Sequence, residues 1–516
     1  MPNLTQSLTP PLSPAGTLFG AVATPEKSSI PGWFRAIFPP NSPRPIRPVK
    51  SKFLLIKMVG CSAYVVGSGL QLSAQELEPK PNIILIITDQ QSADAMSNRI
   101  GSQYLKTPNM DYLATHGISF TRAFCANPLC VPSRASMFTG RYPHQVGVQS
   151  NDDENLGNLG FQMMGTIFQK GGYETAYFGK WHIPYDLNNK NSHGFEWLSN
   201  NKSNGIDSLI PEDASRFLHQ KHEKPFLMVA SFVNPHNICE WARGQKLPDG
   251  EVGVPPGADG CPPLLANHAP SKNESDIVSL LRRSAHASPM FPVGNFDDTK
   301  WRQYRWAYYR MIEKVDDQIG KILEDLRSTG LDKNTVIVFL SDHGDSQGAH
   351  LLNQKTNFFE EVVNVPFIIT LPGKSKPEVS NQLVQTGIDL IPTLCDYAGI
   401  KVPAELPGLS ARMISSGGEN SDRSFVVTSV KLIQGNPVNG VKPDPDGRMV
   451  RGGRYKYWIY SQGNQRESLF DTKTDPGEMV NLATDPQYKS ILIEQRKLLE
   501  GWCKKYNDSF SQYLIK

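Results

Sequence analysis

Five consecutive aliphatic residues, Ile83-Ile84-Leu85-Ile86-Ile87, run straight into Thr88-Asp89-Gln90. No polar residue alternates through the run, so neither face of such a strand can meet water, and it belongs in a parallel sheet covered by helices. The arrangement recurs. Tyr173 to Phe178 leads into Gly179-Lys180-Trp181-His182, Phe226 to Val233 into Asn234-Pro235-His236, and Val336 to Leu340 into Ser341-Asp342-His343-Gly344, with Val365 to Thr370 as one more strand. Trp306 to Thr329 places Met311, Val315, Ile319, Ile322 and Leu326 at helical spacing and stops at Gly330, as a C-terminal glycine should. The pattern predicts an α/β fold. Ligands in open α/β sheets collect at the carboxyl ends of the strands, so tips far apart in sequence are expected to share one pocket.

Composition narrows the function. Among 516 residues, 53 Lys and Arg oppose 50 Asp and Glu. That balance supplies no global field for nucleic acid or an anionic membrane, and an anionic substrate must be held by a local site. Residues 1–49 are rich in Pro and Ser and read as an unstructured leader. Residues 50–74, with Lys50, Lys52 and Lys57 before the run Met58 to Leu70 and then Leu72-Ser73-Ala74, resemble a signal peptide. The expected location is therefore periplasmic or secreted, with a lipoprotein anchored at Cys61 as a minor variant. No later segment has the ~20 consecutive apolar residues of a transmembrane helix. The catalytic domain is placed at 80–401. From 402 to 516 the texture changes to Pro, Gly and Ser loops, the alternating Tyr455 to Tyr460, the turn Asp475-Pro476-Gly477 and an amphipathic helix, Ile491 to Tyr506. This is expected to form a smaller α+β domain with an antiparallel sheet. Seven cysteines, at 61, 125, 130, 239, 261, 395 and 503, form no zinc pattern; a bridge such as Cys239 with Cys261 is allowed in an oxidising compartment.

Cys130-Val131-Pro132-Ser133-Arg134, followed by Thr139-Gly140-Arg141, is the most informative stretch. It resembles the type I sulfatase motif C-x-P-S-R with a downstream T-G-R. Thr107-Pro108-Asn109-Met110-Asp111 and Phe120-Thr121 accompany it, as they do in sulfatases. The resemblance spans about residues 80 to 485, including Arg448 to Arg451, Glu467 to Asp471 and Asp475 to Glu478. It implies an alkaline-phosphatase-like, mixed but mostly parallel sheet flanked by helices. It also implies that a formylglycine-generating or anaerobic maturation enzyme oxidises Cys130 to formylglycine. The chemistry explains the choice of residue. A serine that attacked sulfur would stay sulfated until an outside nucleophile arrived, whereas a hydrated aldehyde carries a second hydroxyl that expels sulfate and restores the carbonyl.

By the same resemblance, Asp89, Gln90, Asp342 and His343 surround a divalent cation together with the formylglycine oxygen. Calcium is implied, with magnesium also suited to an oxygen-dominated shell. Gln90 stands where the family usually has a second aspartate, which removes one negative charge. Lys180 and Lys355 are implied to bind sulfate. His182 is the base that releases it, His236 the acid for the departing alcohol, and Arg134 the anchor of the formylglycine hydrate. His350 is a candidate for the pocket rim.

The reaction so implied is sulfate ester hydrolysis, with a sulfated polysaccharide or its oligosaccharides as substrate. Two competitors remain open at this point. One is a phosphoester or phosphonate hydrolase of the same superfamily; the other is a sulfoglycan-binding protein in which Cys130 stays a thiol. Specificity is expected in the loops Asn188 to Asp213, Glu240 to Thr299 and Gly417 to Gly447, with Trp241, Trp301 and Trp306 as candidate sugar-stacking residues.

Overall fold

The computed structural model describes residues 79–153, 160–199, 206–374, 376–416, 423–431 and 435–515. The leader, the 50–74 segment and Cys61 lie outside the described residues, as do parts of two of the candidate specificity loops.

The larger sheet contains β1 (Asn82–Asp89), β2 (Gly117–Phe124), β3 (Glu174–Gly179), β4 (Trp197–Leu198), β5 (Phe226–Pro235), β6 (Thr335–Ser341), β7 (Phe367–Thr370) and β8 (Glu378–Gln385), in the order β4-β3-β5-β1-β6-β7-β2-β8. Every neighbouring pair is parallel except those made by β7, which runs antiparallel to both β6 and β2. The hydrophobic run predicted this for β1: each of its residues is buried. Ile83, Leu85 and Ile87 face a layer that includes Phe138 and Leu390. Ile84 and Ile86 face the opposite layer, built on the long helix Asp298–Ser328.

That helix begins eight residues before the predicted start at Trp306, where Asp297 caps it by accepting from the Lys300 N–H at 2.7 Å. The five stripe residues are all buried. Strands β2 and β8 were not anticipated. Arg122 interrupts the apolar text of β2, and β8 is an edge strand whose first half is mostly exposed.

Gly179 closes β3 with φ of +98°, and a Cβ there would lie 2.1 Å from the Ser231 carbonyl oxygen. Gly179→Ala is therefore expected to cost more than about 1 kcal/mol and to push Lys180 out of place. Thermal denaturation and turnover measured together check both effects.

The second sheet is fully antiparallel: β9 (Val426–Lys431), β10 (Asp446–Arg451), β11 (Tyr455–Tyr460) and β12 (Glu467–Asp471), in the order β12-β11-β10-β9. Val450, Tyr457, Ile459 and Leu469 pack on Leu492, Leu499 and Trp502, the latter three on the helix Lys489–Tyr506. Met449, Trp458 and Phe470 pack on Phe358 and Phe359. The two sheets belong to one compact unit, Glu76–Lys516.

The six described cysteines are all free. The bridge considered between Cys239 and Cys261 is not formed: Cys239 Sγ lies 3.5 Å from Gln90 Nε2, while Cys261 Sγ faces the Pro256 carbonyl at 3.6 Å. Among the described residues no helix is long and apolar enough to cross a membrane.

Candidate active site

Strands β3, β5, β1 and β6 are consecutive and parallel, so their carboxyl ends lie side by side. This brings Asp89, Lys180, His236 and Asp342 to one edge. The helix Cys130–Thr139 approaches the same edge, with Cys130 as its first residue and every residue buried. A helix start carries a partial positive charge, which suits an anion, although here the Val131 N–H is taken by Asn151 Oδ1 at 3.1 Å and Pro132 has none. Lys355 arrives from the loop after β6.

Cys130 lies at the centre. Lys355 Nζ donates to its Sγ at 2.9 Å, His343 Nε2 lies 3.3 Å away, and Asp89 Oδ1 is at 3.6 Å. Asp89, Cys130, Asp342 and His343 are all buried, and their ligand atoms lie within 4.8 Å of one another. The His343 Nδ1–H donates to the Gly344 carbonyl at 3.0 Å, which orients Nε2 into the cluster. Two carboxylates and an imidazole lone pair form a donor set that suits a divalent cation.

Arg134 is fully buried between the two carboxylates. Its Nε donates to Asp342 Oδ2 at 2.8 Å and its Nη2 lies 3.7 Å from Asp89 Oδ2, while Nη1 donates to Ser231 Oγ at 2.8 Å and to the Lys180 carbonyl at 3.1 Å. The guanidinium thus engages the carboxylates, rather than the Cys130 side chain it was expected to hold. Lys180 Nζ donates to Asp89 Oδ2.

Gln90 also departs from expectation. Its Nε2 donates to Asp345 Oδ2 at 2.7 Å and lies against Cys239, so the amide turns toward that carboxylate, while its backbone N–H donates to Asp342 Oδ1 at 3.2 Å. On an extended strand end, residues two apart point to the same side, which would pair Lys180 with His182. Instead β3 ends at Gly179 and His182 adopts φ of +43°; His182 still helps to lower the Cys130 thiol, and Cys130 acts in turn on His236. His350 does not line a rim. It is fully buried and stacked on Phe359 at 3.6 Å between centroids. Trp301 is 3% exposed, edge-on to Phe296, Tyr304 and His268, so it is a core residue. Trp241 is half-buried beneath Lys300, whose Nζ lies 4.4 Å from its ring, and Trp306 is half-buried.

Several supporting residues went unnoticed in the sequence. Ser133 Oγ donates to the Asp342 carbonyl at 2.7 Å, and Tyr308 OH donates to the Gln90 carbonyl at 2.7 Å. Tyr304 OH donates to Asp345 at 2.9 Å. Ser133 sits inside the quoted motif, and Tyr304 and Tyr308 are one turn apart on a long helix; that spacing was their only advance sign.

The charges of the cluster hold each other in place. Burial opposes ionisation of Cys130, yet Lys355, Lys180 and His343 pull its thiol well below the ordinary range. Burial and Cys130 push Asp89 upward, but Lys180, His236 and Lys355 prevail and keep it below the usual carboxylate range. Asp342 moves the other way, through burial and the nearby Asp89 charge. Burial and the Lys355 and Lys180 cations lower His236.

A mostly parallel α/β sheet that gathers two lysines, three histidines and two carboxylates around one helix-capped cysteine defines an enzyme for small anionic esters. Comparison with known proteins gives the family. Residues 81–400 match the sulfatase family, and residues 348–505 match the family of the N-sulphoglucosamine sulphohydrolase C-terminal region. The chain is 33% identical over 470 residues to the Delta 4,5-hexuronate-2-O-sulfatase of Bacteroides thetaiotaomicron, covering 86% of this chain and 93% of that protein. It is 30% identical over 478 residues to the ulvan-active sulfatase of Formosa agariphila, covering 84% of each. The solved structure of a 2-O GAG sulfatase matches with a TM-score of 0.73 at 31% identity, over 85% of this chain and 94% of that one. The chain belongs to the sulfatase family and is a sulfuric ester hydrolase.

Proposed function

We propose that the enzyme removes 2-O-sulfate from hexuronate residues of a sulfated polysaccharide or its oligosaccharides, with Cys130 converted to formylglycine by a maturation enzyme. One observation carries the reading: Lys355, His343 and Asp89 all converge on the Cys130 side chain, within 2.9 to 3.6 Å. The hexuronate and the 2-position come from the names of the relatives at 33% and 31% identity.

Asp89, Asp342, His343 and the converted Cys130 side chain would hold calcium or magnesium. Such an ion would polarise the sulfate and make the attacking hydroxyl more acidic. The remaining roles fall to the chain itself. Lys180 and Lys355 neutralise the sulfate oxygens; Lys355 stands directly over the reacting side chain. His182 withdraws the proton that accompanies sulfate release. His236 gives a proton to the departing alcohol. Arg134 fixes Asp342 by a charged hydrogen bond and holds Asp89 by charge across 3.7 Å. The Lys-flanked segment 50–74 supports export, and with it periplasmic or extracellular action.

The test compares initial rates of the matured enzyme on a 2-O-sulfated unsaturated uronyl disaccharide, the same disaccharide sulfated only on its amino sugar, an aryl sulfate and an aryl phosphate. The 2-O-sulfated compound is expected to lead by more than about 100-fold, the discrimination a site built around hydrogen-bonded polar groups can deliver. Faster turnover of the phosphate would overturn the reaction; preference for the amino-sugar ester would overturn the substrate.

A further inference from the structure

Lys355 is presented by a loop with an uncommon backbone. Gln347, His350, Leu351, Gln354 and Thr356 all have φ between 50° and 69°, and Gly348 has 94°. Side-chain-bearing residues adopt this left-handed conformation at a cost, and persist in it where the surroundings hold them. The loop closes on itself through the Ser346 N–H, which donates to the Gln354 carbonyl at 2.8 Å. Its far end is tied to the approach to Cys130, where the Thr356 N–H donates to the Pro128 carbonyl at 3.1 Å.

The tip is gripped from outside by the segment between β5 and the long helix. His268 Nδ1–H donates to the Gly348 carbonyl at 2.6 Å, Arg282 Nη1 to the His350 carbonyl at 3.3 Å, and His286 Nε2–H to the Leu351 carbonyl at 2.7 Å. The Asn267 carbonyl accepts from the His350 N–H at 2.8 Å. Next to Lys355 itself, Gln354 Nε2 donates to the Met290 carbonyl at 2.9 Å. A run of left-handed residues builds no regular ladder of its own, so these side chains satisfy backbone groups that would otherwise be buried and unpaired.

We propose that Arg282 and His286, on the helix Asp276–His286, are positioning residues for Lys355: they fix the loop that aims its ammonium at the reacting side chain. Their hydrogen bonds to the loop reach its backbone rather than Cys130, Asp89 or Asp342. The inference rests on the reading that Lys355 acts at Cys130. It adds that the segment carrying one candidate specificity loop also sets the geometry of the chemistry, although it supplies no reacting group.

A double-mutant cycle on the matured enzyme tests this, with melting temperatures measured alongside. His286→Ala is expected to lower kcat/KM about tenfold, since small misplacements of an aligned group cost one to two orders of magnitude. His286→Gln keeps an N–H donor at similar reach and should restore the rate to within about threefold of wild type. In a Lys355→Ala background, His286→Ala should add less than about a twofold loss, because no ammonium is left to aim. Gln354→Asn tolerates the left-handed backbone but falls short of Met290, and it reads the same coupling if His286→Ala proves insoluble. Equal losses in both backgrounds would overturn the positioning role while leaving Lys355's role intact. A harmless Lys355→Ala would instead overturn the underlying reading, and this inference with it.

Discussion

Cys130→Ala is expected to lower sulfate ester turnover by at least about 10⁴-fold, the scale on which enzymes lose rate when a nucleophile that works as a unit with its base is deleted. The side chain is fully buried, with Lys355 Nζ at 2.9 Å and His343 Nε2 at 3.3 Å. No other described group has this set of neighbours, so none can take over its place. Cys130→Ser sharpens the test by separating attack from release. A serine hydroxyl can attack sulfur, but it has no second hydroxyl on the same carbon to expel sulfate. The serine variant should therefore release at most one equivalent of alcohol per enzyme and then stop, leaving a sulfated peptide visible by mass. Sustained turnover by either variant would remove Cys130 from the mechanism. Mass analysis of the wild-type Cys130 peptide should find an aldehyde in place of the thiol.

The parts of this site that were legible in the sequence are those set by strand ends. A wholly apolar run that stops at Asp or Lys fixes both the strand and the position of its tip, and the parallel order β3-β5-β1-β6 then brings the tips together. Side-chain direction beyond the tip was less legible. Gln90 and His182 both sit at positive φ, a local conformation that their residue types do not announce. Strand alternation therefore does not relate Lys180 to His182, because the chain has already left β3 at Gly179. Arg134 was read from its motif as a partner of the nucleophile. A guanidinium buried beside two carboxylates is drawn to the larger charge, and only the three-dimensional proximity of Asp89 and Asp342 reveals that. Trp301 was misread because a tryptophan near a loop has the same sequence signature whether it stacks on sugar or fills a core. The loop that holds Lys355 lay beyond pattern reading altogether, since its left-handed residues include Gln, His, Leu and Thr, with no glycine or asparagine to mark most of the turns.

Arg134→Met is expected to destabilise the metal-free enzyme by about 3–5 kcal/mol, the cost of leaving a buried ion pair without one partner. Arg134 and both of its carboxylate partners have no solvent exposure, so water cannot make up the loss. Lys180 still offsets part of the charge on Asp89, but Asp342 Oδ2 loses its closest cation, Arg134 Nε at 2.8 Å. A divalent cation held by the same carboxylates should compensate. Ligand binding stabilises the folded state in proportion to its affinity and concentration, and removing a positive neighbour strengthens the attraction of Asp89 and Asp342 for a cation. The variant should therefore gain more from added calcium than the wild type does, with the gap between them narrowing as calcium rises from chelator-treated to millimolar levels. Denaturant titrations of both proteins across that range measure this directly. A gap that stays constant would mean that the carboxylates beside Arg134 are not the ones that hold the ion.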